Sequence, residues 1–595
     1  MRRDFTPRRR RSEGAAAVLL LLLLAAALAG AAPEAAAQVP PGVPPERLGV
    51  PERFGLPDRE RPELPPFEAP PPDLPAPPEA LPPVPERPAT GLAVVVREVR
   101  LVGNTVFSDA DLDPLVRRYE GRAVTTEQLL RLRDELTAHY IERGYINSGA
   151  VIPDQDVVDG VITVEIVEGR LDEIEVTGLE WLRPGLVADR IRLGAGPPLH
   201  VIALQERLQL LLTDPAVAGL DARLGPGERR GGSRLEVEAR EARRFTAALT
   251  LSNERSASVG EPYGELELGV RSLLGRSDPL VARLGLSEGL RLGQLGYVLP
   301  LGPGGPRLRL FGEVSDSEVV EEPFDELDIE SETYTFEAGL RWTLVERLDR
   351  EVTAGADLVR RRSETSLLGR PFSFSPGVRD GKSDVTAFRL PLEWLDRGGD
   401  QVLAFRSTFN VGVDLLGATS NPDADVPDSR FVSWLGQAQL ARRFGFGGGD
   451  HQLLARADVQ LTSDPLLPLE QLAIGGIDTV RGYRENVLVR DAGWIVSLEY
   501  RWPLFTLPVP ALSRDPRDGV VFLAPFFDAG GGSNRRRETP DPEVIYSVGA
   551  GLLWSPAPNL GAEIYVGVPL EDVPDVEDEA LQDLGIHFRI RAGLY

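Results

Sequence analysis

The chain is 595 residues long, with 91 acidic side chains against 65 basic ones, a net charge of −26 and no cysteine. That length exceeds what one hydrophobic core organises. The acidity argues against a nucleic-acid partner, whose phosphates need a basic face, and the missing thiols exclude disulfides and cysteine-held metals. The four histidines, His139, His200, His451 and His587, lack ligand spacing, so no metal is expected. No glycine loop of phosphate-binding type occurs, so no cofactor or nucleotide is expected either.

The chain opens with arginines at positions 2, 3 and 8–11, then the apolar run AAAVLLLLLLAAALAGAA, then small residues ending at Ala37. A basic start, an apolar centre and a small-x-small end form the layout of a secretory signal peptide, so residues 1–37 are expected to be removed on export. Residues 38–91 follow as a linker, with 19 prolines between 38 and 88. Proline supplies no amide donor and favours an extended backbone, which predicts a spacer rather than a folded unit.

From residue 92 the pattern becomes strand, helix, helix, strand, strand. VVVREVRLVGN alternates, and FSDADLDPLVRRY opens on a Ser-x-x-Asp capping pattern. TTEQLLRLRDELTAHYIERGY sets Leu129, Leu132, Leu136 and Tyr140 along one helical face, and two strands follow in SGAVIPDQDVVDGVITVEIVEG. EVRLVG at 98–103 returns as EIEVTG at 173–178; LHVIALQERLQLLLTD answers the second helix, and SRLEVEARE answers VITVEIVEG. Two tandem β-α-α-β-β units are therefore expected, at 92–171 and 172–241. Acidic neighbours such as Asp109 and Asp111 read as helix capping rather than acid–base chemistry, and no enzyme is expected.

From residue 242 to 595 helical periodicity gives way to two-residue alternation. In YTFEAGLRW, Tyr334, Phe336, Ala338, Leu340 and Trp342 oppose Thr335, Glu337, Gly339 and Arg341. WIVSLEYRW sets Trp494, Val496, Leu498, Tyr500 and Trp502 against Ser497, Glu499 and Arg501, and FRLPLEW and LARADVQL do likewise. Alternation with charge on one face and aromatics near the segment ends is the pattern of a transmembrane β-barrel, apolar towards lipid and polar towards an aqueous lumen. A closed barrel is the only sheet that leaves no backbone group unpaired in lipid. At roughly 22 residues for each strand and its connection, about sixteen antiparallel strands are expected. In the last segment, LGIHFRIRAGLY, Ile586, Phe588, Ile590 and Leu594 point outward, and Tyr595 falls out of phase; either an irregularity near Gly593 restores the phase or the assignment is inverted.

The motifs TVRGY at Thr479 to Tyr483 and FFDAG at Phe526 to Gly530 complete a resemblance, together with LVGNTVFS and YIERGYINSGAVIPDQDVVDGVITVEIVEGRLDEI in the first repeat. The chain resembles the outer-membrane transporters of two-partner secretion, the haemolysin-activator type, which join periplasmic POTRA domains to a sixteen-stranded barrel. The resemblance spans nearly all of the chain beyond residue 37. It implies a protein translocase of the Gram-negative outer membrane, embedded in outer-membrane lipid, that recognises an unfolded secreted partner protein through its POTRA domains. A small sheet with an exposed edge can take up an extended chain by β-augmentation. The resemblance also implies that Val480, Arg481, Gly482 and Tyr483 form the tip of a long extracellular loop folded back into the barrel. By the same resemblance Arg481 reaches a barrel-wall acid at the Phe526/Asp528 motif. Alternation independently places Phe526 and Asp528 on one face of their strand, opposite Leu523 and Phe527. Gly475 and Gly476 would act as the hinge of that loop. The family's plug helix would fall at PPERLGVPERFG, where prolines and glycines oppose a helix, so the chain lacks the plug or carries a vestige of it. Two rival readings stand beside the translocase: an assembly factor of the same superfamily, which usually has more POTRA units, and a passive diffusion porin, which needs neither repeats nor a locked loop.

Overall fold

The computed structural model describes residues 93–594 apart from 448, 511, 516, 517 and 574–579, together with residue 51. The signal-peptide and linker expectations lie outside these residues, as does the plug segment except for Pro51. The first unit comprises β1 (Ala93–Val96), β2 (Glu98–Val102), α1 (Asp109–Val116), β3 (Arg122–Thr125), α2 (Thr126–Glu142), β4 (Gly149–Val151) and β5 (Val161–Val167). Its main sheet runs β2-β5-β4, with β2 parallel and β4 antiparallel to β5; β1 and β3 pair separately. Both helices open on capping boxes, Ser108 with Asp111 and Thr125 with Gln128, which satisfy amides the first turn leaves free. Leu132, Leu136 and Tyr140 are fully buried with Leu112, Ile162 and Val164.

The second unit repeats the plan with β6 (Arg170–Thr177), α3 (Pro184–Arg192), α4 (Val201–Leu212), β7 (Val217–Pro226) and β8 (Gly232–Glu241), sheet order β6-β8-β7. β6 begins at Arg170, immediately after Gly169 has bonded Ser148 Oγ, so the boundary drawn between residues 171 and 172 falls inside this strand. The two units are joined by backbone bonds from Val201 N to Gly144 O at 2.9 Å and from Leu199 N to Gly169 O at 2.7 Å. An Arg207–Glu346 ion pair of 2.6 Å ties the second unit to the long strands of the C-terminal region, and Arg271 Nη1 adds a bond to Pro215 O at 3.0 Å.

That region holds β9 (Phe245–Ser252), β10 (Tyr263–Val270), β11 (Leu280–Leu286), β12 (Leu290–Pro300), β13 (Arg307–Glu318), β14 (Ile329–Glu346), β15 (Arg350–Leu367) and the two-residue β16 (Arg370–Pro371). They continue as β17 (Lys382–Arg397), β18 (Gln401–Val413), β19 (Val432–Phe446), β20 (Gly449–Thr462), β21 (Leu472–Ile474), β22 (Leu488–Arg490), β23 (Ala492–Thr506), β24 (Val520–Ser533), β25 (Val544–Ala557), β26 (Leu560–Pro569) and β27 (Ile586–Gly593). Setting aside β16 and the β21–β22 pair, these form a closed barrel of sixteen antiparallel strands sealed by β27 against β9. Closure leaves no strand edge in lipid. The alternation reads as expected: Phe336 is 55% exposed while its neighbour Thr335 is 7% exposed. In β27, His587, Arg589 and Arg591 all have partners inside the barrel, and the register with β9 is unbroken from Arg589 to Gly593. The outward phase of Ile586, Phe588 and Ile590 therefore holds without an irregularity at Gly593; Tyr595 lies outside the described residues.

Candidate functional site

The connection from β20 to β23, residues 463–491, turns into the barrel. A short 3-10 turn (Pro468–Glu470) precedes β21, which pairs antiparallel with β22 and carries residues 475–487 as its tip. Apolar side chains explain the inward course. Leu472, Ile474, Val480, Tyr483 and Leu488 bury against Ile495 and Ile545 of the wall, and Ile477 buries against Ala524, Phe526 and Tyr565. The tip also needs glycine: Gly475 and Gly476 have φ of 112° and 108°, and Gly482 has φ of 92°. A Cβ on Gly482 would stand 2.9 Å from the carbonyl carbon of Gly567, so the backbone there approaches the wall as closely as it can.

Arg481 is 4% exposed. Its Nε donates to Asp528 Oδ2 at 2.8 Å and its Nη2 to Asp528 Oδ1 at 2.9 Å, a two-point grip that the planar guanidinium makes directional. Its own backbone amide adds a third bond to Asp528 at 3.1 Å. Nη1 pairs with Glu499, and Nη2 donates to Ser497 Oγ at 3.2 Å. The guanidinium carbon lies 3.8 Å from the centre of the Phe526 ring and 4.6 Å from that of Tyr565, within cation–π range. Glu499 is shared in turn with Arg501 at 2.7 Å, so two cations and two carboxylates balance.

The rest of the tip is fixed similarly. Gly482 N donates to His587 Nε2 at 3.0 Å, which puts the imidazole proton on Nδ1, and Ser547 Oγ donates to Arg481 O at 2.5 Å. Tyr483 Oη donates towards Tyr546 O and Glu571 O, each at 3.0 Å. Arg484 joins Glu321 at 2.5 Å and also Asp583, both in neighbouring connections, while Asp478 meets Arg589 of β27 at 3.0 Å. The base of the loop is held on the far wall: Glu470 pairs with Arg389 of β17 at 3.0 Å and Arg361 of β15 at 3.5 Å.

The structure thus brings together Val480, Arg481, Gly482, Tyr483, Phe526 and Asp528, with Gly475 and Gly476 at the entry to the tip. Sequence reasoning did not connect Glu499, Ser497, Ser547, Tyr565 or His587 to Arg481. The signal for two of them was present, since alternation puts Ser497 and Glu499 on the inner face. The register then sets Ser497 opposite Asp528 and Glu499 opposite Phe526. Among the described residues, no group of three or more His, Asp or Glu side chains is placed to hold a metal. The cluster holds a loop by charge and shape.

Comparison with known proteins bears on the family and the fold. Residues 231–553, more than half of the chain, match the family model described as haemolysin secretion/activation protein ShlB/FhaC/HecB, and residues 94–169 match the POTRA domain, ShlB-type. An outer membrane transporter CdiB of Dickeya dadantii (strain 3937) is 24% identical over 428 residues, covering 70% of this chain and 74% of that protein. The hemolysin transporter protein ShlB of Serratia marcescens is 25% identical over 421 residues, covering 69% and 72%. The solved structure of CdiB from Escherichia coli superposes with a TM-score of 0.63 at 23% identity, covering 86% of this chain and 93% of that one.

Proposed function

This chain belongs to the haemolysin secretion/activation protein family ShlB/FhaC/HecB, and from that premise we propose how its parts share the work. It is an outer-membrane protein translocase with its POTRA units in the periplasm. Its secreted partner arrives unfolded, is held by the periplasmic units, and is passed through the barrel once the inward loop gives way. No nucleotide is required; folding of the partner outside the cell supplies the pull. Val480 to Tyr483 act as the latch of the loop, Phe526 and Asp528 as its seat, and Gly475 and Gly476 as its hinge.

The observation that carries this reading is the burial of Arg481 inside the lumen against Asp528 and Glu499. Removing one partner of a buried ion pair costs about 3–5 kcal/mol. The two-point grip holds the loop in one pose, which suits a channel that stays shut until its partner arrives. The family match favours the translocase over both the porin and the assembly-factor readings.

Planar-bilayer conductance of the purified chain tests the latch. Arg481→Ala and Asp528→Ala are expected to raise the open fraction alike, with the double variant adding little to either. Identical steady opening in wild type and all variants would show that the loop does not gate the lumen.

A further inference from the structure

The outer wall of the barrel carries a feature that neither the latch nor the periplasmic units use. Register aligns two neighbouring rows of outward side chains from β11 to β17. One row runs Leu284, Gly293, Val314, Tyr334, Arg362 and Asp384. The next sets Leu295, Gly312, Phe336, Arg360 and Thr386 side by side. Leu284, Leu295, Val314 and Phe336 are each more than half exposed, as residues that face lipid are. The glycines interrupt the rows at staggered places. A Cβ on Gly293 or Gly312 would meet nothing within 4 Å, so both positions open onto a hollow. The groove between these side chains holds about 530 Å³, inside the roughly 300–1,000 Å³ range of ligand sites.

One end of the groove is apolar and the other is cationic. Arg360 donates from Nη2 to Asp384 Oδ1 at 2.7 Å and from Nη1 to Thr386 Oγ1 at 3.1 Å, which pins it across the wall. Arg362 meets Glu364 through Nε at 2.7 Å, and its Nη1 and Nη2 carry no hydrogen bond among the described residues. Glu364 is also held by Lys382 at 3.6 Å, so three cations share two carboxylates. A planar guanidinium with free donors matches a phosphate, which accepts at two points. Depth in the membrane agrees. Glu346, where β14 ends, pairs with Arg207 of the second periplasmic unit, so the Trp342 end of that strand is periplasmic and the Tyr334 end faces the cell surface. Tyr334 and Trp342 share the outward face as aromatic girdle residues, and Arg362 stands opposite Tyr334, at the level of the outer head groups. The row then descends. Tyr334 is eight residues from Trp342, whereas Gly293 is only four from Tyr297, near the periplasmic end of β12. The cationic end is therefore at the surface and the hollow lies deeper.

We infer that this groove is a binding site for a phosphate-bearing acyl lipid of the outer leaflet, its phosphate on Arg362 and Arg360 and one chain sunk along Gly312 and Gly293. The site needs the barrel to stand in the outer membrane and needs nothing of the latch.

The test is native mass spectrometry of the full chain purified in detergent. The probes are dipalmitoyl phosphatidic acid, dipalmitoylglycerol, which has the same chains without the phosphate, and inorganic phosphate. Phosphatidic acid is expected to bind at least tenfold more tightly than dipalmitoylglycerol. Arg362→Gln should remove most of that preference, and Gly312→Leu, which fills the hollow from the lipid side, should weaken phosphatidic acid at least tenfold. Arg350→Gln, at the periplasmic rim over Trp394, should leave binding unchanged. Equal retention of the two lipids would mean an apolar groove only, and displacement by inorganic phosphate at matched concentration a free-anion site; either overturns the assignment. So does a loss with Arg350→Gln as large as with Arg362→Gln. Should a variant fail to fold, photo-crosslinking of the wild-type chain decides. A phosphatidic acid with a diazirine in its chain should label β12 and β13 around Gly293 and Gly312, and labelling confined to other strands would refute the site.

Discussion

Arg481 offers five donors in a fixed plane, and Asp528, Glu499 and Ser497 are arranged to use that plane from three directions. A lysine would keep the charge and lose the fork. Arg481→Lys should therefore behave in bilayers much closer to Arg481→Ala than to wild type; conductance equal to wild type would mean that charge alone holds the loop. Gly482 supplies an independent check, because its φ of 92° and its close approach to Gly567 leave no room for a methyl group. Gly482→Ala should open the channel to a similar extent without altering any charge. The link from Arg481 to Asp528 was legible because a motif and a parity met. Glu499 was not linked because alternation fixes which face a residue takes, whereas the meeting of Glu499 with Arg481 depends on the stagger of β23 against β24 and on where the loop tip comes to rest.

At the scale of elements, the turn after β2 is organised by one carboxylate. Glu168 accepts from Thr105 N at 2.6 Å, Val106 N at 2.9 Å and Tyr140 Oη at 3.1 Å, and also from Thr105 Oγ1. Partial burial would raise its pKa, but these bonds outweigh that and hold it below the usual carboxylate value; burial, with Glu168 beside it, pushes the Tyr140 hydroxyl up. Because the folded-state value is depressed, the contribution of Glu168 is fully present above its unfolded pKa and is lost as pH falls through the folded one. Glu168→Gln should destabilise the first unit by about 2 kcal/mol at neutral pH, read from protection of the Thr105 and Val106 amides, and the difference should vanish in acid. The cap of α1 makes a second case: Ser108→Ala should cost about 1 kcal/mol, measured by urea titration of the same amides. Ser108 and Asp111 were legible as a cap because their partners lie within one turn. The side-chain bonds between Gln155 and Thr163, Thr137 and Ala150, and Glu120 and Val99 were not, since each joins residues whose separation in sequence carries no period.

For the whole molecule, the barrel wall sorts side chains by face alone. Leu390 is 49% exposed on the outer face of β17, while Arg389 beside it turns inward to Glu470. Leu390→Arg should weaken folding into lipid vesicles by up to about 4 kcal/mol, the more the deeper the residue sits, whereas Leu390→Phe should leave it nearly unchanged. The sixteen-stranded wall was legible from alternation in several segments, with the length available for each strand setting the count. The course of the loop across the lumen was not legible, because Glu470 meets Arg361 and Arg389 of strands far earlier in the chain. The loop is consequently fastened twice, at its base to β15 and β17 and at its tip to β23, β24 and β27. On the latch proposed above, freeing the tip would leave the base attached and the segment would swing aside. Whatever work lifts Arg481 from its carboxylates is recovered when it settles back. A latch of this kind would set a threshold for starting export and add nothing per residue thereafter, so a short passenger and a very long one would face the same first step.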